Sequence, residues 1–347
     1  MNRKPKMLMA ALIAVSQSYA AKESIDTLKT YELQNVQVTS TRAGKHTPMA
    51  FSTLNKDQIK KINHGQDIPF LLSLTPSVTT TSDAGNGIGY TSLKVRGTAP
   101  SRINFTANGI PVNDAESSQV FFVNMSDFMS SVKDLQIQRG VGTSTNGSAA
   151  FGATVNMQTD APSLYPYLNF NASAGSYATH KESLRFGSGL LGNHWSFDGR
   201  LSNISSNGYI ERAASQLNSY FLQGAYTGDN TLVKLLTFNG IEKTYHAWDY
   251  ATKEQMEKYG RRYNPCGEYK DADGNTRYYD NQTDNYHQQN YQLIWNQLLG
   301  DRFNFNVALH YTAGFGYYEQ YMVGQKLAKY GLTTTNLKSD LIRRKNL

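Results

Sequence analysis

Lys133-Asp-Leu-Gln-Ile-Gln-Arg-Gly-Val-Gly-Thr-Ser-Thr-Asn-Gly-Ser-Ala-Ala-Phe-Gly-Ala-Thr-Val-Asn-Met-Gln-Thr159 is the stretch whose reading decides the fold. Leu135 and Ile137, then Val155 and Met157, alternate with polar residues, which predicts two strands each buried on one face. Between them Gly140, Gly142, Gly147 and Gly152 sit among small polar residues and allow a compact turn. A phosphate-binding loop would end in Gly-Lys-Ser/Thr, and no lysine lies between Lys133 and Thr159. No helical pattern follows the glycines. The stretch is a scaffold, not a nucleotide site.

Working outward, Leu93-Lys-Val-Arg-Gly97 and Ile103-Asn-Phe-Thr-Ala-Asn-Gly-Ile-Pro-Val112 precede it. Taken in order and spacing from about Ser52 to Thr159, these motifs resemble the plug domain of TonB-dependent outer-membrane receptors. The chain departs from that pattern at Asn108, where the family usually has Asp, and at Gln136, where it often has Glu. The resemblance implies an α+β plug domain over 43–160. Antiparallel transmembrane β-strands would follow over 161–347, the first portion of a large β-barrel of about 22 strands.

The chain begins like an exported protein. Arg3, Lys4 and Lys6 precede a short apolar core, Met7 to Val15, and Ser18-Tyr-Ala20 supplies small residues for signal-peptidase cleavage. The apolar run is too short to span about 30 Å as a helix. Removing residues 1–20 takes away three basic residues and no acidic one, so the net charge falls from +7 to +4, which gives no argument for nucleic acid. The single cysteine, Cys266, lies in a polar loop and reads as an incidental thiol without an intrachain partner. Residues 21–42 read as a flexible segment holding one strand-like run, Leu33 to Arg42. There Val36, Gln37, Val38 and Thr39 resemble the TonB box, the receptor segment that adds a strand to TonB. An ordinary first strand of the plug is the other reading of these four residues.

Within the plug, helices are expected over Leu54–Asn63 and Asp67–Leu74, the second with Pro69 in its first turn. The resemblance places apical plug loops against ligand, which nominates Arg102, Asn113, Asp114, Glu116 and Gln119; solvated loop polarity is the alternative. Arg96 and Arg139 each precede a glycine at a strand end. They are expected to lock plug to barrel by pairing with carboxylates, with surface exposure as the other reading.

After Pro162 the composition turns aromatic and period-two rows follow one another. Leu168/Phe170/Ala172/Ala174 comes first, then Trp195/Phe197/Gly199/Leu201, Tyr220/Leu222/Gly224/Tyr226 and Leu232/Lys234/Leu236/Phe238. Tyr291/Leu293/Trp295 and Phe303/Phe305/Val307/Leu309/Tyr311 complete the series. Apolar rows beside polar rows, with short connections at 228–230 and 300–301 and long ones at 245–287 and 314–337, are the pattern of a membrane barrel. The rows amount to about seven strands, with an eighth starting at Lys338. About eight strands close around their own side chains and leave no room for a plug. The expectation is therefore an incomplete receptor chain that forms no plugged barrel alone. Asp271-Ala-Asp-Gly-Asn resembles part of a calcium loop but lacks the later Glu, so a hairpin turn is expected and no metal.

No nucleophile elbow and no His spacing suited to zinc is present, so neither an enzyme nor a metal site is read here, and no cofactor. The resemblance implies an outer-membrane receptor of a Gram-negative bacterium, working with TonB and its inner-membrane energising complex, surrounded by outer-membrane lipid, and importing a scarce nutrient. A ferric siderophore is favoured because no extra domain separates signal from box. Cobalamin, haem or a glycan, or an adhesive or structural barrel, are the alternatives. Tyr209, Arg212, Tyr245, His246 and Trp248 are further ligand-contact candidates, with interface anchoring as the other role for the aromatics. N-terminal sequencing of the exported protein is expected to begin at Ala21; a product still beginning at Met1 removes the signal assignment.

Overall fold

The computed structural model describes residues 42–44, 47–141, 150–300 and 302–346. The signal-like segment, the Val36–Thr39 run, Gly142 and Gly147 lie outside them.

β1 (Ala50–Asn55) runs straight into α1 (Lys56–Ile62). Asn55 makes the junction: its side chain accepts from the Gln58 amide while the Gln58 side chain accepts from the Asn55 amide, a reciprocal capping box. α2 (Ile68–Leu71) carries Pro69 in its first turn, where a missing N–H costs nothing. It is shorter than the pattern suggested, and Leu74 beyond it is exposed. β2 (Val78–Ser82) and β3 (Thr91–Val95) form a ribbon. β4 (Ile103–Ala107), β5 (Ile110–Pro111), β6 (Val132–Arg139) and β7 (Ala153–Thr159) join β1 in one sheet of order β1-β6-β7-β4-β5, in which only β4 and β7 run parallel. Leu135 faces Met157 and Ile137 faces Val155 across β6 and β7, so the alternation of the deciding stretch becomes one buried face.

The two departures from the family pattern are both amides in use as amides. Asn108, left-handed at φ 57°, turns the chain with Gly109 between β4 and β5. Its Oδ1 accepts from the Thr159 N–H and hydroxyl at 3.0 Å each. Gln136 accepts from the Ala43 N–H at 2.8 Å and donates to the Ala43 carbonyl at 3.0 Å, pairing like a peptide group. A carboxylate at 136 would lack that donor.

Eight strands then follow in chain order as one antiparallel sheet with β8 and β17 at its edges. They are β8 (Pro166–Gly175), β9 (Thr179–Ser188), β10 (Trp195–Ser206), β11 (Ser215–Thr227), β12 (Thr231–Tyr245), β15 (Thr283–Leu299), β16 (Phe303–Lys326) and β17 (Lys338–Asn346). The 246–282 connection between β12 and β15 contains α3 (Lys253–Tyr259) and a hairpin of β13 (Glu268–Lys270) and β14 (Thr276–Tyr278). Asp271 closes that hairpin by accepting from the Asp273 and Asn275 amides and from Arg277. Among the described residues no helix is long and apolar enough to cross a membrane.

The sheet is apolar outside and polar inside. Leu168, Phe170, Trp195, Phe197, Leu201, Leu235, Trp295, Phe303 and Leu309 are exposed, whereas Lys181, Asp198, Arg200, Gln223, Asn290 and Gln292 are buried on the face that meets the plug. This is the arrangement of a membrane barrel wall. The row Leu232/Lys234/Leu236/Phe238 faces the plug: Phe238 packs on Phe128 of the plug with ring centroids 4.7 Å apart. One expectation needs correction. The 314–337 connection is shorter than read, because β16 continues to Lys326. Gly314 and Gly316 do not mark a loop; they leave room for Tyr286 of the neighbouring strand.

The wall bears directly on the plug main chain at Gly240. A Cβ there would collide with the carbonyl of Asn124, in the plug turn Phe122–Met125. Gly240→Val is therefore expected to push plug and wall apart at a cost of about 1–3 kcal/mol. Faster proteolysis of the plug and a lower thermal midpoint are the readouts, and unchanged values refute the contact.

Candidate functional site: the seam between plug and wall

The seam is centred on Asp127. Its backbone is left-handed (φ 51°), a conformation Asp tolerates better than most residues, and this turns its carboxylate toward the wall. Lys181 of β9 meets Oδ1 at 2.5 Å and Arg200 of β10 meets Oδ2 at 3.1 Å. The Ser202 hydroxyl donates to Oδ2 at 2.7 Å. All three charged side chains are almost fully buried. Burial alone would raise the Asp127 carboxyl; Arg200 and then Lys181 overcome this and hold it well below the usual carboxylate range. Main-chain contacts continue the seam: the Asp127 carbonyl accepts from Arg200, and the Ser126 carbonyl accepts from Ser219 of β11 at 2.8 Å.

A second acid, Asp160, lies at the end of the plug. Arg185 of β9 reaches it at 2.6 Å and Lys56 of α1 at 2.8 Å. Asn108 donates to Gln292 of β15 at 3.0 Å, so the amide turn of the plug also touches the wall. Farther along, the Tyr90 hydroxyl donates to Asp284 of β15 and lies 3.4 Å from Glu242 of β12.

Five of the ligand-contact candidates gather where the 246–282 connection meets the plug loop 83–90. Tyr209 packs on Gly85, stands edge-on to Tyr177 at 5.7 Å, and shares the Arg262 guanidinium with that ring at 5.7 and 5.6 Å. Trp248 stands edge-on to Tyr90 at 6.2 Å, and His246 stacks on Trp248 at 3.8 Å. His246 is buried, which lowers its pKa to about 4, so the ring is neutral at neutral pH. Arg212 and Tyr245 are committed to the loop itself. Arg212 lies 3.6 Å over the Tyr278 ring and donates to the Asn264 carbonyl, and the Tyr245 hydroxyl donates to the Tyr279 carbonyl at 2.7 Å.

The plug candidates divide. Asn113 is a bracket: it accepts from the Phe105 amide at 2.8 Å and donates to the Ile103 and Ser118 carbonyls at 2.9 Å each. Asp114 is exposed and caps its own turn, and the Ser117 amide above all lowers its pKa. Glu116 is exposed and Gln119 half-buried in the same turn. Arg102 is exposed where β4 and β7 begin, its carbonyl accepting from the Gly152 amide.

The expected locking arginines require correction. Arg139 donates to Ser52 at 2.7 Å, within the plug sheet, and Arg96 is exposed beside Gly140. Among the described residues no ion pair joins either to the wall. The lock has the opposite polarity: wall cations grip plug carboxylates. The sequence did carry its signal, since Lys181, Arg185 and Arg200 fall on the rows that alternate with Leu184, Phe186, Gly199 and Leu201. A charge on a lumen row needs a partner in the lumen. Cys266 is buried and free, and burial pushes its thiol up to about 12, which leaves it unreactive at neutral pH.

Residues 43–154 match the family model described as "TonB-dependent Receptor Plug Domain". Among solved structures the chain resembles the siderophore receptor PirA from Acinetobacter baumannii, with TM-score 0.58 and 13% identity over 85% of this chain and 43% of that one. It resembles the ferric yersiniabactin uptake receptor FyuA from Yersinia pestis at TM-score 0.62 and 9% identity, over 80% and 42%. The unliganded ferric citrate transporter FecA gives 0.61 and 16%, over 83% and 42%. At these identities the likeness shows the fold, a plug with part of a barrel, and the chain spans about two fifths of the solved chains' length. No curated protein matches it.

Asp127→Ala would leave Lys181 and Arg200 buried without an anion, which costs about 3–5 kcal/mol. The plug of that variant is expected to be released at lower denaturant concentration. In the native protein the Asp127 contribution is complete above the ordinary Asp value of about 4 and drains away as pH falls below it. Plug release measured by protease susceptibility should therefore rise in acid, and a profile unchanged by Asp127→Ala refutes the lock.

Proposed function

We propose that this chain, whose residues 43–154 match the plug domain of TonB-dependent receptors, is the gated part of an outer-membrane importer for a ferric chelate. The observation that carries the reading is the plug seated by buried ion pairs against a wall that is apolar outside and polar inside. Such a wall belongs in lipid, and the outer membrane of a Gram-negative bacterium is where barrels of this kind reside. A plug held by discrete contacts can be released without chemistry, so the chain binds and gates and catalyses nothing. TonB, driven by its inner-membrane complex, engages Val36–Thr39 as an added strand and supplies the pull.

The chelate reading draws support from the names of the structural neighbours, which are siderophore and ferric-chelate receptors. Tyr177, Tyr209 and Arg262 supply the chemistry, two rings and a guanidinium that suit an anionic aromatic chelate. His246, Trp248, Asp114, Glu116 and Gln119 stay in the proposal as further candidate contacts. The candidate roles of Arg102, Asn113, Arg212 and Tyr245 are to shape this mouth.

Uptake by iron-starved cells carrying the receptor gene tests the reading. A labelled ferric siderophore is expected to accumulate, while Val38→Pro, which removes a donor from the added strand, should abolish accumulation and leave binding intact. Accumulation of cobalamin, haem or a glycan in its place would overturn the substrate, and uptake unaffected by Val38→Pro would overturn the TonB contact.

A further inference from the structure

Where β12 and β15 approach the 246–282 connection, plug and wall meet through acids with no base among them. The Tyr90 hydroxyl donates to Asp284 Oδ2 and lies 3.4 Å from Glu242 Oε1. Thr244 donates to the other Glu242 oxygen at 3.2 Å. Behind Tyr90, plug Asp67 accepts from the Thr91 hydroxyl at 3.0 Å. Asp67, Glu242 and Asp284 are 5%, 3% and 2% exposed, and Asp284 Oδ1 is buried with no hydrogen-bond partner among the described residues. The surroundings supply no cation. β15 adds Tyr286, with Asp114 of the plug acting on it; β11 adds Ser215 against Gly89; the connection adds Trp248 and the neutral His246. No Lys or Arg among the described residues pairs with any of the three carboxylates, whereas Asp127 and Asp160 each have two.

One hydroxyl hydrogen cannot serve two carboxylates, and buried charge without a partner is not sustained. Something positive must enter the cluster. A metal ion is disfavoured by geometry, since among the described residues no group of three His, Cys, Asp or Glu is arranged to hold one. We propose that this part of the seam is a proton-held latch: protonated, it bonds Tyr90 and the plug loop 82–90 to the wall, and on losing its protons it repels and frees that loop. The inference concerns the plug's attachment and does not depend on which nutrient is carried.

Burial raises the Asp67 carboxyl to about 8. Burial, then Glu242 and Asp284, pushes the Tyr90 phenol far above its ordinary value, so Tyr90 stays a donor throughout. A raised carboxyl favours the docked state below the ordinary carboxylate range and loses that contribution as pH rises through about 8. This is the reverse of Asp127. Trp248 on the Tyr90 ring ties the connection to the same latch.

The test is hydrogen exchange of the 82–92 amides in the membrane-inserted receptor, corrected for intrinsic rates, from about pH 6 to about pH 9. Native protection is expected to fall by about ten-fold per pH unit for each proton released. In Glu242→Gln with Asp284→Asn the fall should be smaller, limited to the single proton that Asp67 can still release, because amides neither lose a proton nor repel. Tyr90→Phe, a change small enough to leave the fold intact, should already lack protection at the acid end. Level native protection, an equal fall in the amide variant, or normal protection in Tyr90→Phe would each overturn the latch. So would restoration of alkaline protection by millimolar calcium, which would make the cluster a cation site.

Discussion

A carboxylate buried between two buried cations holds this structure together. Asp127 belongs to the plug, Lys181 and Arg200 to the wall, and none of the three can be left alone out of water. The condition arises from the wall. A sheet that turns leucine and aromatics outward must turn its polar row inward, and that row needs hydrogen-bond partners. The plug provides them at fixed points: the carboxylate of Asp127 and the carbonyls of Ser126 and Asp127. The plug turn comes so close that only glycine fits opposite Asn124, at Gly240.

Much of this was legible in the order of residues. The rows beginning at Trp195, Tyr291 and Phe303 point outward, because a period of two has only two faces and the apolar one must leave the lumen. The β12 row points inward for a physical reason. Leu236 and Phe238 meet the apolar core of the plug around Phe128, so part of the lumen is itself apolar. Gly314 and Gly316 misled because a glycine that makes room for a neighbouring tyrosine looks, in sequence, like one that makes a turn. The lock was placed on Arg96 and Arg139 because Arg-Gly is conspicuous at strand ends. The residues that carry it are scattered single charges whose meaning appears only once the facing surface is known.

Asn108 and Gln136 show what composition alone does not convey. Both stand where a related plug would carry an acid, and both are buried. An amide donates as well as accepts, so Asn108 binds Thr159 and Gln292 at once, and Gln136 pairs with both groups of Ala43. The plug thereby has two fewer buried charges to neutralise, and its remaining acids stand where a wall cation or a proton can reach them.

Followed along the wall, the seam changes character. At β9 and β10 it is cationic, through Lys181, Arg185 and Arg200; at β11 and β12 it is main-chain and apolar, through Ser219, Gly240, Phe221 and Phe238; toward β15 it is acidic, through Glu242 and Asp284. The two charged flanks respond to protons in opposite senses. The ion-pair flank needs an ionised Asp127 and weakens progressively as pH falls below the ordinary Asp value of about 4, while the acid flank needs protonated carboxyls and weakens as pH rises toward about 8, the value to which Asp67 is raised. Between these limits both flanks contribute. The middle is built chiefly on ring packing and carbonyl contacts, which do not titrate. Release of one flank therefore leaves the plug attached through the middle and the other flank. An opening that starts at the acid flank loosens the loop under Trp248 while Asp127 still anchors the plug to β9 and β10.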